Sequence, residues 1–208
     1  MRITHIVSDV GGVIVLDGGH KKRALWEKKL RLEPGQLFRE VYINSQAEKA
    51  TIGEVTSSDV WINIQKKFTL SKEELDEIIV DFYSEDKVNT ELYTFIQSLR
   101  GQYKTALLSN AWLNAREIYT TRYHLDEIFD IMIISAEVGM MKPSEDFFLY
   151  ALNLLGATPK ETLYIDDTEE NINAAKTLGI QTVRFTSTKN TITEINQYLS
   201  RVSSSVLL

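Results

Sequence analysis

The second half of the chain alternates short apolar runs with amphipathic segments: "KTALLSN", "IMIIS", "TLYIDD" and "QTVRF" are each separated by a stretch with helical spacing. Runs of this length, rich in β-branched and aliphatic residues, read as strands buried on both faces. A strand followed by a helix and another strand implies a crossover, so the strands are parallel and helices cover both faces of the sheet. The amino-terminal run Ile3 to Val7 is a further strand, ending in Asp9, Gly11 and Gly12. The fold class is therefore α/β, with a Rossmann-like parallel core.

Between Gly18 and Asp86 the pattern changes to helical throughout. Leu25, Trp26 and Leu30 recur at helical spacing, as do Leu37, Val41 and Tyr42, and then Val60, Trp61 and Ile64. Ser71 and Glu74 form an S-x-x-E capping box ahead of Leu75, Ile78 and Ile79. The expected division is a core of residues 1–17 and 88–208 with a small all-helical insert at 18–87, in which Trp26, Trp61 and Phe68 serve as core. Further helices are expected near Asn89 to Leu99, at Ala115 to Thr121, from Ser144, through Ala174 to Leu178, and near Ile192 to Leu199. The terminal "SRVSSSVLL" reads as a loosely held tail.

Composition removes several function classes. The net charge is −6, which disfavours nucleic acid and anionic membrane as partners. There is no cysteine, so disulfides, zinc thiolate sites and cysteine nucleophiles are excluded. No signal sequence or bilayer-length apolar run is seen, and a cytoplasmic monomer or homodimer is the expectation.

In an open parallel sheet, ligands bind outside the carboxyl ends of the strands. Those positions hold Asp9, then Ser109 with Asn110, then Asp166 with Asp167; Lys142 precedes the helix from Ser144. Carboxylates converging there repel by about 4 kcal/mol per pair at close range, so a cation belongs among them. With no cysteine and no histidine at a strand end, the ligand set is all oxygen, which suits Mg²⁺. Lys142, Ser109 and the amides after Ser109 can hold phosphoryl oxygens. Asp9 is the best placed nucleophile, because Gly11 and Gly12 allow backbone amides close to the transferring group. Taken singly, each residue has an ordinary alternative: Asp9 a turn, the acidic pair a helix cap, Ser109 and Asn110 loop residues, Lys142 a solvated charge.

The order "SDVGGVIV", "LLSNAW", "MKPSEDFF", "YIDDTEENINAAKTLGI" resembles the four successive motifs of the haloacid dehalogenase-like (HAD) hydrolase superfamily, and the helical insert resembles its small cap domain. The nearest subgroup is similar to sugar 1-phosphate phosphatases and the phosphatase domain of soluble epoxide hydrolases, with Asn171 following the paired aspartates. The resemblance implies Asp9 as nucleophile and metal ligand, the Gly11 carbonyl as a further ligand, Ser109 and Lys142 on phosphate, and Asp166 and Asp167 at Mg²⁺. Where most phosphatases of this family read D-x-D, Gly11 removes the second aspartate and with it the proton donor to the leaving oxygen. General acid catalysis contributes about 10²- to 10⁴-fold. Asp17 or His20 could replace it, the substrate could carry a good leaving group such as an anomeric oxygen, or the protein could be a weakly active or non-catalytic phosphate-binding regulator. The expected function is a Mg²⁺-dependent phosphatase acting on a small phosphomonoester, with sugar phosphates as the class. The alternative enzyme is a metal-independent 2-haloacid dehalogenase, which chelation would spare.

Overall fold

The computed structural model describes residues 2–18 and 20–200. Five parallel strands form the main sheet: β1 (His5–Ser8), β4 (Lys104–Ser109), β5 (Ile131–Ile134), β6 (Thr162–Asp166) and β7 (Gln181–Arg184), in the spatial order β5-β4-β1-β6-β7. Central β1 pairs on one side with Lys104–Leu107 and on the other with Thr162–Ile165. The chain builds outward from β1 through β4 to β5, then returns to the other side for β6 and β7. Strand order thus reverses beside β1, and the crevice such a reversal opens lies over the carboxyl ends of β1, β4 and β6.

Burial follows the period-two alternation of a two-sided sheet. Ile6, Leu107, Leu163 and Ile165 face one layer, where they meet Leu92 and Ile96 of α6 (Thr90–Leu99) and Ile195 of α11 (Thr188–Ser200). Val7, Ala106, Leu108 and Tyr164 face the other, against Phe147 and Phe148 of α9 (Glu145–Leu155) and Ile172 and Ala175 of α10 (Glu169–Thr177). The remaining core helices are α7 (Ala115–Thr121) and the short α8 (Ser135–Val138).

The helical segment consists of α1 (Lys21–Lys29), α2 (Gln36–Tyr42), α3 (Ser45–Thr51), α4 (Ser57–Phe68) and α5 (Lys72–Tyr83). Its own hydrophobic cluster holds Trp26, Leu37, Val41, Trp61, Ile64, Ile78 and Phe82, with Phe68 packed against it. The capping box expected at Ser71 and Glu74 is present, and Thr56 with Asp59 forms a second one at α4. The segment leaves and rejoins the core through a two-stranded antiparallel ribbon, β2 (Val15–Leu16) with β3 (Lys87–Val88). These strands of two residues each were not expected, because no alternation can be read over so short a span.

The expected strands recur with shifted ends: β1 runs one residue past Val7, and β6 stops at Asp166 so that Asp167 lies just beyond it. The helix expected from Ser144 begins at Glu145, with Ser144 at its amino cap. The tail expected after Ser200 lies outside the described residues. No helix among the described residues is long and apolar enough to cross a membrane.

The helical segment also touches the core directly. Trp112, in the loop after β4, is 7% exposed and belongs to the segment's hydrophobic cluster, its ring centroid 5.2 Å from that of Tyr42. Beyond α3, Gly53 has φ of 78°, and a Cβ there would lie 2.2 Å from the carbonyl oxygen of Ala136 in α8. Gly53→Ala is therefore expected to cost about 1–3 kcal/mol, read as a lower midpoint in urea unfolding.

Candidate active site

Asp9 leaves β1 with its amide bound to the Ile165 carbonyl at 2.8 Å, which places its side chain at the strand-order reversal. Its Oδ1 accepts the Val10 amide at 2.7 Å and faces the Lys142 ammonium at 2.9 Å. Oδ2 accepts no hydrogen bond among the described residues. One carboxylate oxygen is anchored, and the other is available to a ligand.

Lys142 is the only cationic side chain in direct contact with this carboxylate among the described residues, and it is 3% exposed. Its Nζ lies 2.9 Å from Asp9 Oδ1 and 2.9 Å from Asp166 Oδ2. Burial works to lower the ammonium, but the charges and hydrogen bonds of Asp9 and Asp166 together outweigh it and shift it upward. Asp9 is pushed up from 3.8 to about 6: burial is the largest cause, Lys142 opposes it, and the charge of Asp166 adds to it. One ammonium shared between two carboxylates offsets only part of the cost of burying both. The backbone of Lys142 is held by the Asn110 side chain, whose Oδ1 accepts the Lys142 amide and whose Nδ2 donates to the Lys142 carbonyl, both at 2.8 Å.

Asp166 is fully buried and accepts from four groups: Lys142, the Tyr164 phenol, the Asn171 Nδ2 at 3.0 and 3.2 Å, and the Thr168 amide at 2.7 Å. A carboxylate offers about four lone-pair sites, so this one is filled. Asp167 is half-buried, and its carboxyl is raised by burial and then by the charge of Asp166. Gly12, at φ of 78°, lies so close that a Cβ there would meet Asp167 Oδ2 at 2.4 Å. Asp9, Asp166 and Asp167 each offer an oxygen within 4.8 Å of the others. Their charge exceeds that of Lys142 by two when all three are ionised. The all-oxygen donor set and that excess fit a divalent cation such as Mg²⁺.

Sequence reasoning placed Asp9, Lys142, Asp166 and Asp167 together, and the structure does so. It gives other members of the predicted site different work. The Gly12 amide donates to the Val15 carbonyl at 2.9 Å, so it is not free for a phosphate; its contribution is the close approach to Asp167. The Asn110 side chain is occupied in holding Lys142. Asp17 pairs with Arg23 and with His20 Nδ1, and neither Asp17 nor His20 belongs to the acidic cluster. A Cβ at Gly11 would meet nothing within 4 Å, so that position is open space. Ser109, 2% exposed at the end of β4, lies with its Oγ 2.9 Å from the Tyr119 phenol. Tyr164 and Tyr119 were missed, since neither a strand-interior tyrosine nor one a helix away carries a motif signal.

A family model described as haloacid dehalogenase-like hydrolase matches residues 3–179. Bifunctional epoxide hydrolase 2 of Sus scrofa is 26% identical over 220 residues, covering 95% of this chain and 39% of that protein. D-ribitol-5-phosphate phosphatase of Bacteroides thetaiotaomicron is 29% identical over 119 residues, covering 54% of this chain and 57% of that enzyme. The chain thus spans less than two thirds of the length of these curated relatives. A crystal structure of a HAD family enzyme from Bacteroides thetaiotaomicron, in complex with magnesium and inorganic phosphate, superimposes with a TM-score of 0.71 at 24% identity, covering 88% of this chain and 93% of that one. At that identity the likeness concerns the fold.

Removing the Lys142 charge leaves Asp9 and Asp166 buried without their shared partner. Lys142→Met is expected to destabilise the metal-free protein by about 3–5 kcal/mol. Lys142 holds the folded value of Asp9 down to about 6, so its loss raises that value further, and the deficit relative to wild type sets in as pH rises through about 6 and grows above it. Urea unfolding in EDTA on both sides of that value checks it.

Proposed function

The chain belongs to the haloacid dehalogenase-like hydrolase family, and on that premise we propose that it is a Mg²⁺-dependent phosphomonoesterase for a small phosphorylated metabolite, with Asp9 as the covalent nucleophile. The observation that carries the reading is the asymmetry of Asp9, with Oδ1 bound to Val10 and Lys142 and Oδ2 left without a hydrogen bond among the described residues, within the acidic cluster. The relative named for D-ribitol-5-phosphate, an open-chain polyol phosphate, supports small phosphorylated carbohydrates as the substrate class without singling out anomeric ones.

In this reading Asp9, the Gly11 carbonyl and Asp167 hold the ion. Asp166, already filled by its donors, contributes charge and keeps Lys142 in place. When bound there, Mg²⁺ would supply the positive charge that offsets the acidic excess and polarises a phosphoryl oxygen. Lys142 and the Ser109 hydroxyl hold phosphoryl oxygens. Oδ2 of Asp9 forms a bond to phosphorus as the bond to the leaving alcohol oxygen breaks; water then cleaves the acyl phosphate, giving inorganic phosphate and restoring the carboxylate. The helical segment serves as a cap over the sheet edge, with residues 18–87 as its extent.

The weak point is the proton for the leaving oxygen. Gly11 supplies none, and Asp17 and His20 are paired with each other. The favoured substrate is thus one whose leaving oxygen needs little help, such as an anomeric phosphate.

A panel of phosphorylated metabolites assayed with Mg²⁺ and with EDTA tests the proposal. EDTA and Asp9→Asn are each expected to abolish hydrolysis, and Asp9→Asn turning over at the wild-type rate would remove Asp9 as nucleophile. Anomeric phosphates are expected to outrun simple alkyl phosphates. Since Gly11 has room for a side chain, Gly11→Asp is expected to raise the alkyl rate by about tenfold or more.

A further inference from the structure

Ser109 has a hydroxyl with one proton to give. Its Oγ lies 2.9 Å from the phenol oxygen of Tyr119, and either oxygen can be the donor in that contact. If the serine donated to the phenol, its only proton would be spent in that contact. If the phenol donates, the serine proton is free to turn toward the crevice. The second arrangement suits a phenol, the more acidic of the two hydroxyls. Burial pushes the Tyr119 phenol up; the Ser109 contact opposes this and the charge of Asp9 adds to it, and the net upward shift leaves the phenol neutral and able to donate.

We propose that Tyr119 is a positioning residue for phosphate binding: its phenol donates to Ser109 Oγ and so directs the serine hydroxyl at a phosphoryl oxygen seated against Asp9. The inference rests on the reading of Ser109 as a phosphate ligand. Tyr119 itself need not touch the substrate. Two hydroxyls in series polarise each other, so the serine becomes a better donor than it would be alone. The position belongs to α7, ten residues beyond Ser109, so the packing of that helix, which lies against β5, decides whether the Ser109 hydroxyl is directed.

The test is calorimetric titration of inorganic phosphate into wild type, Tyr119→Phe, Ser109→Ala and the double variant, all with saturating Mg²⁺. Tyr119→Phe keeps the ring and is expected to weaken phosphate binding about five- to tenfold, the loss of one neutral hydrogen bond. Ser109→Ala is expected to weaken it at least as much, and the double variant no more than Ser109→Ala alone, because the phenol acts through the serine. In steady state, Tyr119→Phe should raise KM more than it lowers kcat. Phosphate binding unchanged in Tyr119→Phe, or losses that multiply fully in the double variant, would overturn the inference. A wild-type protein that binds phosphate and turns over phosphomonoesters yet ignores Tyr119→Phe removes this inference alone. Wild type that neither binds phosphate nor hydrolyses any phosphomonoester removes the phosphatase reading, and this inference with it.

Discussion

A single buried ammonium organises the site. Lys142 stands 2.9 Å from oxygens of both Asp9 and Asp166, and all three side chains are largely buried. Removing either carboxylate would leave the lysine one buried countercharge, whereas removing the lysine would leave both carboxylates with none. Its neighbours follow from that constraint. Asn110 clamps the Lys142 backbone, and four donors fill Asp166 so that it cannot swing away. Asp9 is left with one oxygen tied and one free. Asp167, outside the lysine contact, remains the carboxylate with capacity to spare.

The sheet explains why residues so far apart in sequence meet. β1 lies between β4 and β6, so the chain's reversal of direction falls where Asp9 emerges, and the ends of β4 and β6 deliver Ser109 and Asp166 to the same crevice. The loop after β4 does more than end a strand. Within four residues Ser109 meets Tyr119, Asn110 holds Lys142, the Ala111 amide donates to Ser135, and Trp112 enters the cluster of the helical segment. The crevice edge and the helical segment are thereby coupled through one short stretch of backbone.

Much of the fold was legible because burial leaves periodic marks. Strands covered on both faces read as apolar runs, and the capping box at Ser71 and Glu74 announced a helix start through two hydrogen bonds that local sequence alone can make. The placement of Asp9, Asp166 and Asp167 followed from the rule that strand ends line the crevice, and that of Lys142, which precedes a helix, from the family resemblance. What escaped was decided by contacts between distant segments. The ribbon of Val15–Leu16 with Lys87–Val88 is too short to show alternation. The saturation of Asp166 depends on Tyr164, which looks like any strand residue until its phenol is seen to reach the carboxylate two positions on. The Gly12 amide was expected at phosphate because glycine permits approach, but the turn to Val15 consumes it. Tyr119 gave no signal because the relation between α7 and β4 is a matter of packing, which sequence spacing does not encode.

The proposed chemistry turns on the free oxygen of Asp9, and the measurement closest to it is an acid quench of a single turnover, with the protein in excess over substrate and Mg²⁺ present, followed by mass spectrometry of the peptide containing Asp9. Phosphate should appear on Asp9 at early quench times, be released by hydroxylamine as an acyl phosphate is, and vanish as inorganic phosphate accumulates. Complete turnover with no phosphate on Asp9 at any quench time, under conditions that preserve acyl phosphates, would contradict the covalent route.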